Sequence, residues 1–314
     1  MIVFRDRAEI PADFGPSAVA IGKFDGVHLG HRAVIERLKA DAAASGARAV
    51  AVTFDRNPLA TLRPALCPEA VVTLERKLEL LAELELDAVL VLTFDEALAA
   101  VPAEEFVQRY LVDALHASIV LVGSDFRFGH GGAGTPALLA ELGPAGGFVV
   151  DVVDEVFVPG APRRISSSWV RELLAEGDVT QAAAVLGRPV TVRGEVVHGF
   201  ARGRELGFPT ANLAPVKGVA LPADGVYAGW LDDHTSGARL PAAISVGTNP
   251  TFDDVPERQV EAHVLGSEWL DLYGHDVSVE FTAHLRGMVA FEGIEPLRAQ
   301  IAADVEDARA VLGR

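Results

Sequence analysis

What most constrains this chain is a change of rhythm at Gly187-Arg188-Pro189. Before it, short β-rich apolar runs alternate with amphipathic segments; after it, strand-like runs follow one another across Gly, Pro and Asp punctuation. The first rhythm builds an α/β domain, a parallel sheet with helices on both sides, because parallel strands need long crossovers and those crossovers cover both faces. The second builds an antiparallel barrel or sandwich. With 314 residues, about twice a ~150-residue domain, the chain is expected to form two domains, 1–186 and 187–314.

In the first half the expected strands are Val19–Ile21, Ala49–Phe54, Ala88–Thr93, Ser118–Val122 and Phe148–Val153. Arg32–Ala44 has helical composition and stops at Gly46. Thr73–Leu86 places Leu74, Leu78, Leu81 and Leu84 at helical spacing, with Thr73 as N-cap. Pro102–Leu115 is expected to be a helix with proline at a first helical position and Glu104 and Glu105 in its first turn. The second half offers strands at Thr191–Val197, Val226–Leu231, Leu240–Val246, Val260–Leu265 and Val277–Phe281, closed by a helix over Glu295–Leu312.

Charge narrows the partners. With 27 basic and 44 acidic residues the chain carries −17, a field that repels phosphate backbones, so nucleic acid is not expected as a partner. The lone cysteine, Cys67, excludes an internal disulfide and any multi-cysteine metal site. No apolar run approaches the ~18 residues of a membrane span. Arg5, Asp6, Arg7 and Glu9 interrupt the N-terminus where a signal peptide is apolar, so a cytoplasmic protein without membrane partners is expected. Self-association does not follow from the sequence.

The first chemical stretch runs from strand through glycine-punctuated loop into helix: Gly22, Lys23, Phe24, Asp25, Gly26, Val27, His28, Leu29, Gly30, His31. Ligands bind at the carboxyl ends of parallel strands, and helix N-termini attract anions. Gly22, Gly26 and Gly30 allow close approach of backbone to a phosphate. His28 and His31, three apart, share one helix face and can donate to phosphate oxygens. The plain alternative is a turn with two solvent-facing histidines; two histidines without a third ligand make a weak zinc site. No Gly-x-x-x-x-Gly-Lys-Ser/Thr loop is present, which excludes a P-loop. A glycine-rich loop from Gly123 to Gly134, carrying Asp125, and the helix start Ser166-Ser167-Ser168 with Arg171 suit a nucleotide as well. Ser167 or Ser168 can equally be a simple cap.

These strings resemble the two signatures of the nucleotidylyltransferase superfamily, His28-Leu29-Gly30-His31 and Ile165-Ser166-Ser167-Ser168. The fuller stretch from Gly22 to His31, with Thr53-Phe54-Asp55 and Gly123 to Gly129, resembles the bacterial bifunctional riboflavin kinase/FAD synthetase family. Departures are Arg56-Asn57-Pro58 where the family often has Pro-His-Pro, Ser168 for Thr, Gly134-Thr135 for Gly-Asp, and Asp125 where some relatives have Asn. The sister reading, a relative of aminoacyl-tRNA synthetases, requires a Lys-Met-Ser-Lys-Ser-like loop, and the chain has only four lysines.

The second chemical stretch is Arg202-Gly203-Arg204-Glu205-Leu206-Gly207-Phe208-Pro209-Thr210-Ala211-Asn212. On an extended chain Thr210 and Asn212 point the same way, and hard oxygens suit Mg²⁺. A decorated β-turn is the alternative. Glu261, in a strand-like run, either faces water or serves as a base for phosphoryl transfer. Gly203–Leu213, Asp224–Tyr227, Ser245–Phe252 and Asp271–Gly274 resemble the riboflavin kinase module of the same family, in the same order.

The resemblance covers about residues 15 to 312. It implies a Rossmann-like nucleotidylyltransferase domain followed by a six-stranded antiparallel Greek-key barrel with a C-terminal helix. It implies two activities: riboflavin to FMN with ATP in the barrel, then FMN and ATP to FAD and pyrophosphate in the first domain. His28 and His31 would stabilise the triphosphate, with Ser167, Ser168 and Arg171 holding its oxygens and Gly22, Phe24, Asp25, Gly26, Gly30 and Asp125 lining the nucleotide. Gly203, Gly207 and Pro209 would approach phosphate in the barrel, Thr210 and Asn212 would bind Mg²⁺ with ATP, and Glu261 would activate the ribityl hydroxyl. A single active half, or a flavin-binding carrier without turnover, remain the alternatives.

Overall fold

Runs such as Ser17–Ile21 and Ala88–Leu92 are buried along their whole length, as central strands covered on both faces must be. In the computed structural model, residues 1–153, 157, 163–199, 207–214, 217–248, 258–266 and 271–313 are described. They form two units, Met1–Ser167 and Ser168–Arg314.

The first unit holds β1 (Ile2–Phe4), β2 (Ser17–Ile21), β3 (Arg48–Phe54), β4 (Ala88–Leu92), β5 (Ala117–Gly123) and β6 (Val149–Val153). Their order is β1-β4-β3-β2-β5-β6 and every pairing is parallel. Alternate residues feed opposite faces. Val19, Ile21, Val50, Val52 and Leu90 pack with Phe106, Leu111 and Leu139. Ala18, Ala20, Ala49, Ala51 and Val89 pack with Ile35 and Leu38 of the helix Leu29–Ser45 and with Leu80 and Leu81 of the helix Leu74–Ala82. Each fully buried leucine contributes about 2 kcal/mol.

Three residues at the N-terminus, too few to show a period, form β1 and pair with β4 at the sheet edge. The expected helix over Pro102–Leu115 is a short α-helix, Ala103–Phe106, that widens into a π-helix, Val107–Val112. Pro102 is its N-cap and not a first helical residue. Its ψ of 154° is extended while its carbonyl already accepts the Phe106 N–H.

In the second unit, β7 (Val190–Val197), β8 (Ala211–Leu213), β9 (Gly225–Asp233), β10 (Ala238–Gly247), β11 (Gln259–Val264) and β12 (Asp276–Gly287) close a barrel. Its order is β10-β11-β8-β7-β12-β9, antiparallel throughout. Three consecutive strands, β9 to β11, are followed by β12, which returns beside β9: a Greek key. The sixth strand is β8, hidden in the sequence at the end of Thr210-Ala211-Asn212-Leu213.

A register shift between Phe281 and Ala283 bends β12 around the barrel. There Gly229 admits the facing backbone: a Cβ on it would lie 1.9 Å from the Glu280 carbonyl oxygen. The helix Val179–Leu186 packs on β7 and β12, and the C-terminal helix Ile294–Leu312 buries Val305 and Ala308 against Ala228 and Ala243.

Candidate functional sites

The sheet order fixes where the first site lies. From β2 the chain steps to β3 and then β4 on one side; it later returns to lay β5 and β6 on the other. The reversal opens a crevice beyond the carboxyl ends of β2 and β5, the place where open α/β sheets bind ligands. The segments leaving those ends are the two glycine-punctuated stretches.

After β2, Phe24, Gly26 and Val27 all have left-handed backbone, with φ of 48°, 81° and 39°. Such a conformation costs a non-glycine residue ~1–2 kcal/mol, so the loop must be held. The rings and side chains of Phe24 and Val27 are buried. The Asp25 carboxylate accepts the Val71 N–H at 2.8 Å, and the Asp25 carbonyl accepts the Ser167 hydroxyl at 2.8 Å. The Lys23 carbonyl accepts the Thr53 hydroxyl at 3.1 Å and the Lys77 ammonium at 3.3 Å. Thus the two signature stretches meet through Asp25 and Ser167, both in supporting roles.

The loop delivers His28 to the N-cap of the helix Leu29–Ser45, where its Nδ1 accepts the His31 N–H at 3.3 Å. With Nδ1 accepting, the proton of a neutral ring sits on Nε2. The rings of His28 and His31 stack at 3.6 Å, 13° from parallel, and Phe24 packs edge-on against His31. His28 is 5% exposed, which rules out a solvent-facing pair. Gly30 leaves room beside the stack. A Cβ there would sit 3.2 Å from the His28 ring and 3.6 Å from the Ile165 side chain.

Other expected residues take varied positions. Asp125 is exposed and ion-paired to Arg164 at 2.9 Å. Ser168 and Arg171, on the helix Ser167–Glu176, bond to each other at 3.2 Å. Two departures from the family pattern are helix caps: Asn57 accepts from Leu59 N–H and Thr135 from Leu138 N–H, each at 3.1 Å. Thr135 is thus the N-cap of the helix Pro136–Gly146, a position at which Asp and Thr are both favoured.

Lys77 was not expected here. It lies on the helix Leu74–Ala82, is 8% exposed, and donates to Phe54 O at 2.7 Å, Thr53 Oγ1 at 3.1 Å and Lys23 O. The signal was present: Lys77 is three residues after Leu74 and four before Leu81, a charge on the apolar stripe.

The second site is built on the barrel. β8 lies between β7 and β11, which places Asn212 directly opposite Glu261. Cross-strand partners share a face, and Thr210 joins them two residues earlier. The Thr210 hydroxyl donates to Glu261 Oε2 at 3.1 Å, and Asn212 Nδ2 donates to Thr210 Oγ1 at 3.3 Å. Gly199 leaves room for the Asn212 side chain, since a Cβ would come within 2.5 Å of it. His263 donates from Nδ1 to the Pro209 carbonyl at 2.8 Å and packs edge-on against Phe208. It fastens the segment before Thr210, and burial keeps its pKa below the usual imidazole value. Gly207, at φ 86°, ends the described part of this loop; Gly203, the rest of 202–206, and Asn249 to Phe252 lie outside the described residues. Among the described residues, no three His, Cys, Asp or Glu side chains converge on a metal position.

Comparison with known proteins matches two separate stretches of the chain. The family model described as FAD synthetase matches residues 10–169, and that described as riboflavin kinase matches residues 186–312. The bifunctional riboflavin kinase/FMN adenylyltransferase of Escherichia coli (strain K12) is 36% identical over 94% of this chain and 92% of that protein. The protein of the same description from Listeria monocytogenes is 35% identical over 94% and 92%. A crystal structure described as a macrolide-efflux protein from Streptococcus pneumoniae superposes with TM-score 0.85 at 30% identity, covering 98% of each chain. Among the described residues no helix is long and apolar enough to cross a membrane.

Proposed function

Because the chain belongs to the bifunctional riboflavin kinase/FAD synthetase family, we propose that it converts riboflavin to FMN and FMN to FAD at the two sites just described. Residues 1–186 are assigned to adenylyl transfer and 187–314 to phosphorylation. One observation carries the assignment: each family match contains one cluster whose groups suit that half-reaction, the stacked histidines in the first and the Thr210–Asn212–Glu261 group in the second.

For adenylyl transfer, an oxygen of the FMN phosphate attacks the α-phosphorus of ATP. The new P–O bond forms as the bond to the β-phosphate oxygen breaks, and pyrophosphate leaves with the electron pair. No covalent enzyme intermediate is needed, so positioning and charge neutralisation do the catalysis. His28, with Nε2–H as donor, and His31 meet the triphosphate at a helix N-terminus. Ser168 and Arg171 bind its oxygens, and the Ser167 hydroxyl holds the loop. Gly22, Gly26 and Gly30 let backbone approach the nucleotide, and Asp125 binds it from the β5 loop.

For phosphorylation, Glu261 takes the proton of the ribityl 5′-hydroxyl while that oxygen bonds to the γ-phosphorus and ADP leaves. Gly207 and Pro209 bring the loop backbone close to the phosphates. The Thr210 hydroxyl, the Asn212 amide and the Glu261 carboxylate are hard oxygen donors within one hydrogen-bonded cluster, which fits Mg²⁺. Bound by Thr210 and Asn212 with ATP, the ion would neutralise phosphate charge. The substrates are small molecules. The net charge of −17 argues against a nucleic-acid partner, and dependence on ATP argues for the cytoplasm.

Purified chain incubated with riboflavin, ATP and Mg²⁺ should yield FMN and then FAD, separated by chromatography. His28→Ala should stop FAD and spare FMN; Glu261→Ala should stop FMN formation and spare FAD made from added FMN. Loss of both activities in either folded variant would overturn the two-site assignment.

A further inference from the structure

We propose that Lys77 is a positioning residue for adenylyl transfer, pinning together the ends of β2 and β3 from which the His28–His31 segment is suspended. This rests on assigning that chemistry to the His28–His31 segment.

An ammonium has three donors, and here three oxygens receive them: the carbonyls of Phe54 and Lys23 and the hydroxyl of Thr53. Phe54 is the last residue of β3. Lys23 immediately precedes the left-handed Phe24, and its carbonyl also accepts the Thr53 hydroxyl. The first fixed point of the strained loop is therefore a carbonyl held by two donors, one of them charged. From there three left-handed residues lead to His28.

Packing alone does not account for a lysine at this position. Burying an ammonium costs several kcal/mol, and exchanging buried charge for an apolar side chain is often neutral or stabilising. A methionine would fill the space on the Leu74–Leu81 stripe but leave the Lys23 and Phe54 carbonyls without this donor. What the charge secures is loop geometry, on which an in-line displacement depends.

The three oxygens that Lys77 Nζ bonds are all uncharged. The charges acting on it are Asp25 from the β2 loop and Asp55 from the end of β3, both favouring the ammonium; Lys23 carries its own ammonium on the same loop. Burial outweighs the two acids and brings the Lys77 pKa down to about 8. A neutral amine facing three acceptors has only two N–H groups and a lone pair, so the clamp weakens as pH rises through that value. Stability moves the other way. The folded pKa lies below the unfolded one, so between about pH 8 and 10.5 the unfolded chain binds more protons and this group's contribution to stability increases. Alkaline loss of adenylyl transfer through Lys77 is thereby separable from alkaline unfolding.

The test compares wild type, Lys77→Met, Asp55→Asn and His28→Ala in the full chain, measuring FAD formation from FMN, FMN formation from riboflavin, and thermal unfolding across pH. Wild type should lose adenylyl transfer above about pH 8 without losing kinase activity. Lys77→Met should lower kcat for adenylyl transfer about tenfold or more, an ångström of misplacement costing up to ~10²-fold. The alkaline limb should vanish and kinase activity should persist. Asp55→Asn keeps the acceptor for Phe94 N–H but removes a charge favouring the ammonium, so its limb should move to lower pH. Lys77→Met retaining full kcat would overturn the proposal. If that variant fails to fold, an unmoved limb in Asp55→Asn overturns it. Should His28→Ala form FAD normally, the site assignment fails instead.

Discussion

Replacing His28 by alanine or by asparagine separates its two jobs. As N-cap, its Nδ1 holds one helix-terminal N–H, a contact worth about 1 kcal/mol. Its ring also stacks on His31 at 3.6 Å, worth another ~1 kcal/mol. Alanine should lose both, about 2 kcal/mol from the first unit. Asparagine is among the best N-caps, so it should restore about 1 kcal/mol, or roughly 2–4 °C in Tm for a unit of this size. It cannot supply the imidazole Nε2 donor that the proposed adenylyl transfer requires of His28. Loss of a preorganised donor costs about 2.7–4 kcal/mol, or roughly 10²–10³ in kcat. Both variants should therefore be slow adenylyl transferases of different stability, with riboflavin phosphorylation as the internal control in each sample. An asparagine variant that makes FAD at the wild-type rate would refute the catalytic assignment and reduce His28 to a cap.

Glu261→Gln keeps an oxygen for the Thr210 hydroxyl but no base; riboflavin phosphorylation should fall about 10²–10⁴-fold in kcat with little change in KM, measured by FMN production. Gly229→Ala should destabilise the barrel by about 3 kcal/mol or more in denaturant unfolding, since its Cβ would strike the Glu280 carbonyl and the Ile244 side chain. Buried Asp233 has a carboxyl pKa of about 2: burial raises it, but bonds from Ser236, His275 and the Thr235 and Ser236 N–H groups outweigh burial. Its folded pKa lies below the ordinary 3.8, so it stabilises the barrel above about pH 4 by roughly 2 kcal/mol and loses this as pH falls toward 2. Asp233→Asn should flatten the acid limb of stability in urea titrations.

The sequence reading reached the sheet, the barrel and the hydrogen-bonded members of both clusters because those features have local signals. Ala88–Leu92 is apolar throughout, and His-Leu-Gly-His sits where a strand gives way to a helix. Strand β8 had no such signal: three residues cannot display a period, and its pairing with β7 and β11 is entirely non-local. Pro102 misled because proline favours both the cap and the first turn, and only its ψ decides. Thr135 and Asn57, where the chain departs from the family pattern, cap helices through their hydroxyl and amide oxygens, a role that a short string does not display. Lys77 was hidden by composition: within Glu75-Arg76-Lys77 it reads as one more surface charge, and only its place on the leucine stripe distinguishes it.

The bond from the Ser167 hydroxyl to the Asp25 carbonyl bears on any attempt to dissect the polypeptide. A fragment ending a few residues earlier would retain all six parallel strands and both imidazoles, yet the tether between the far ends of that half would be gone. Minimal excised versions therefore have to extend beyond the last sheet strand and include the opening turn of the following helix, or the glycine-rich segment loses one of its fixed points.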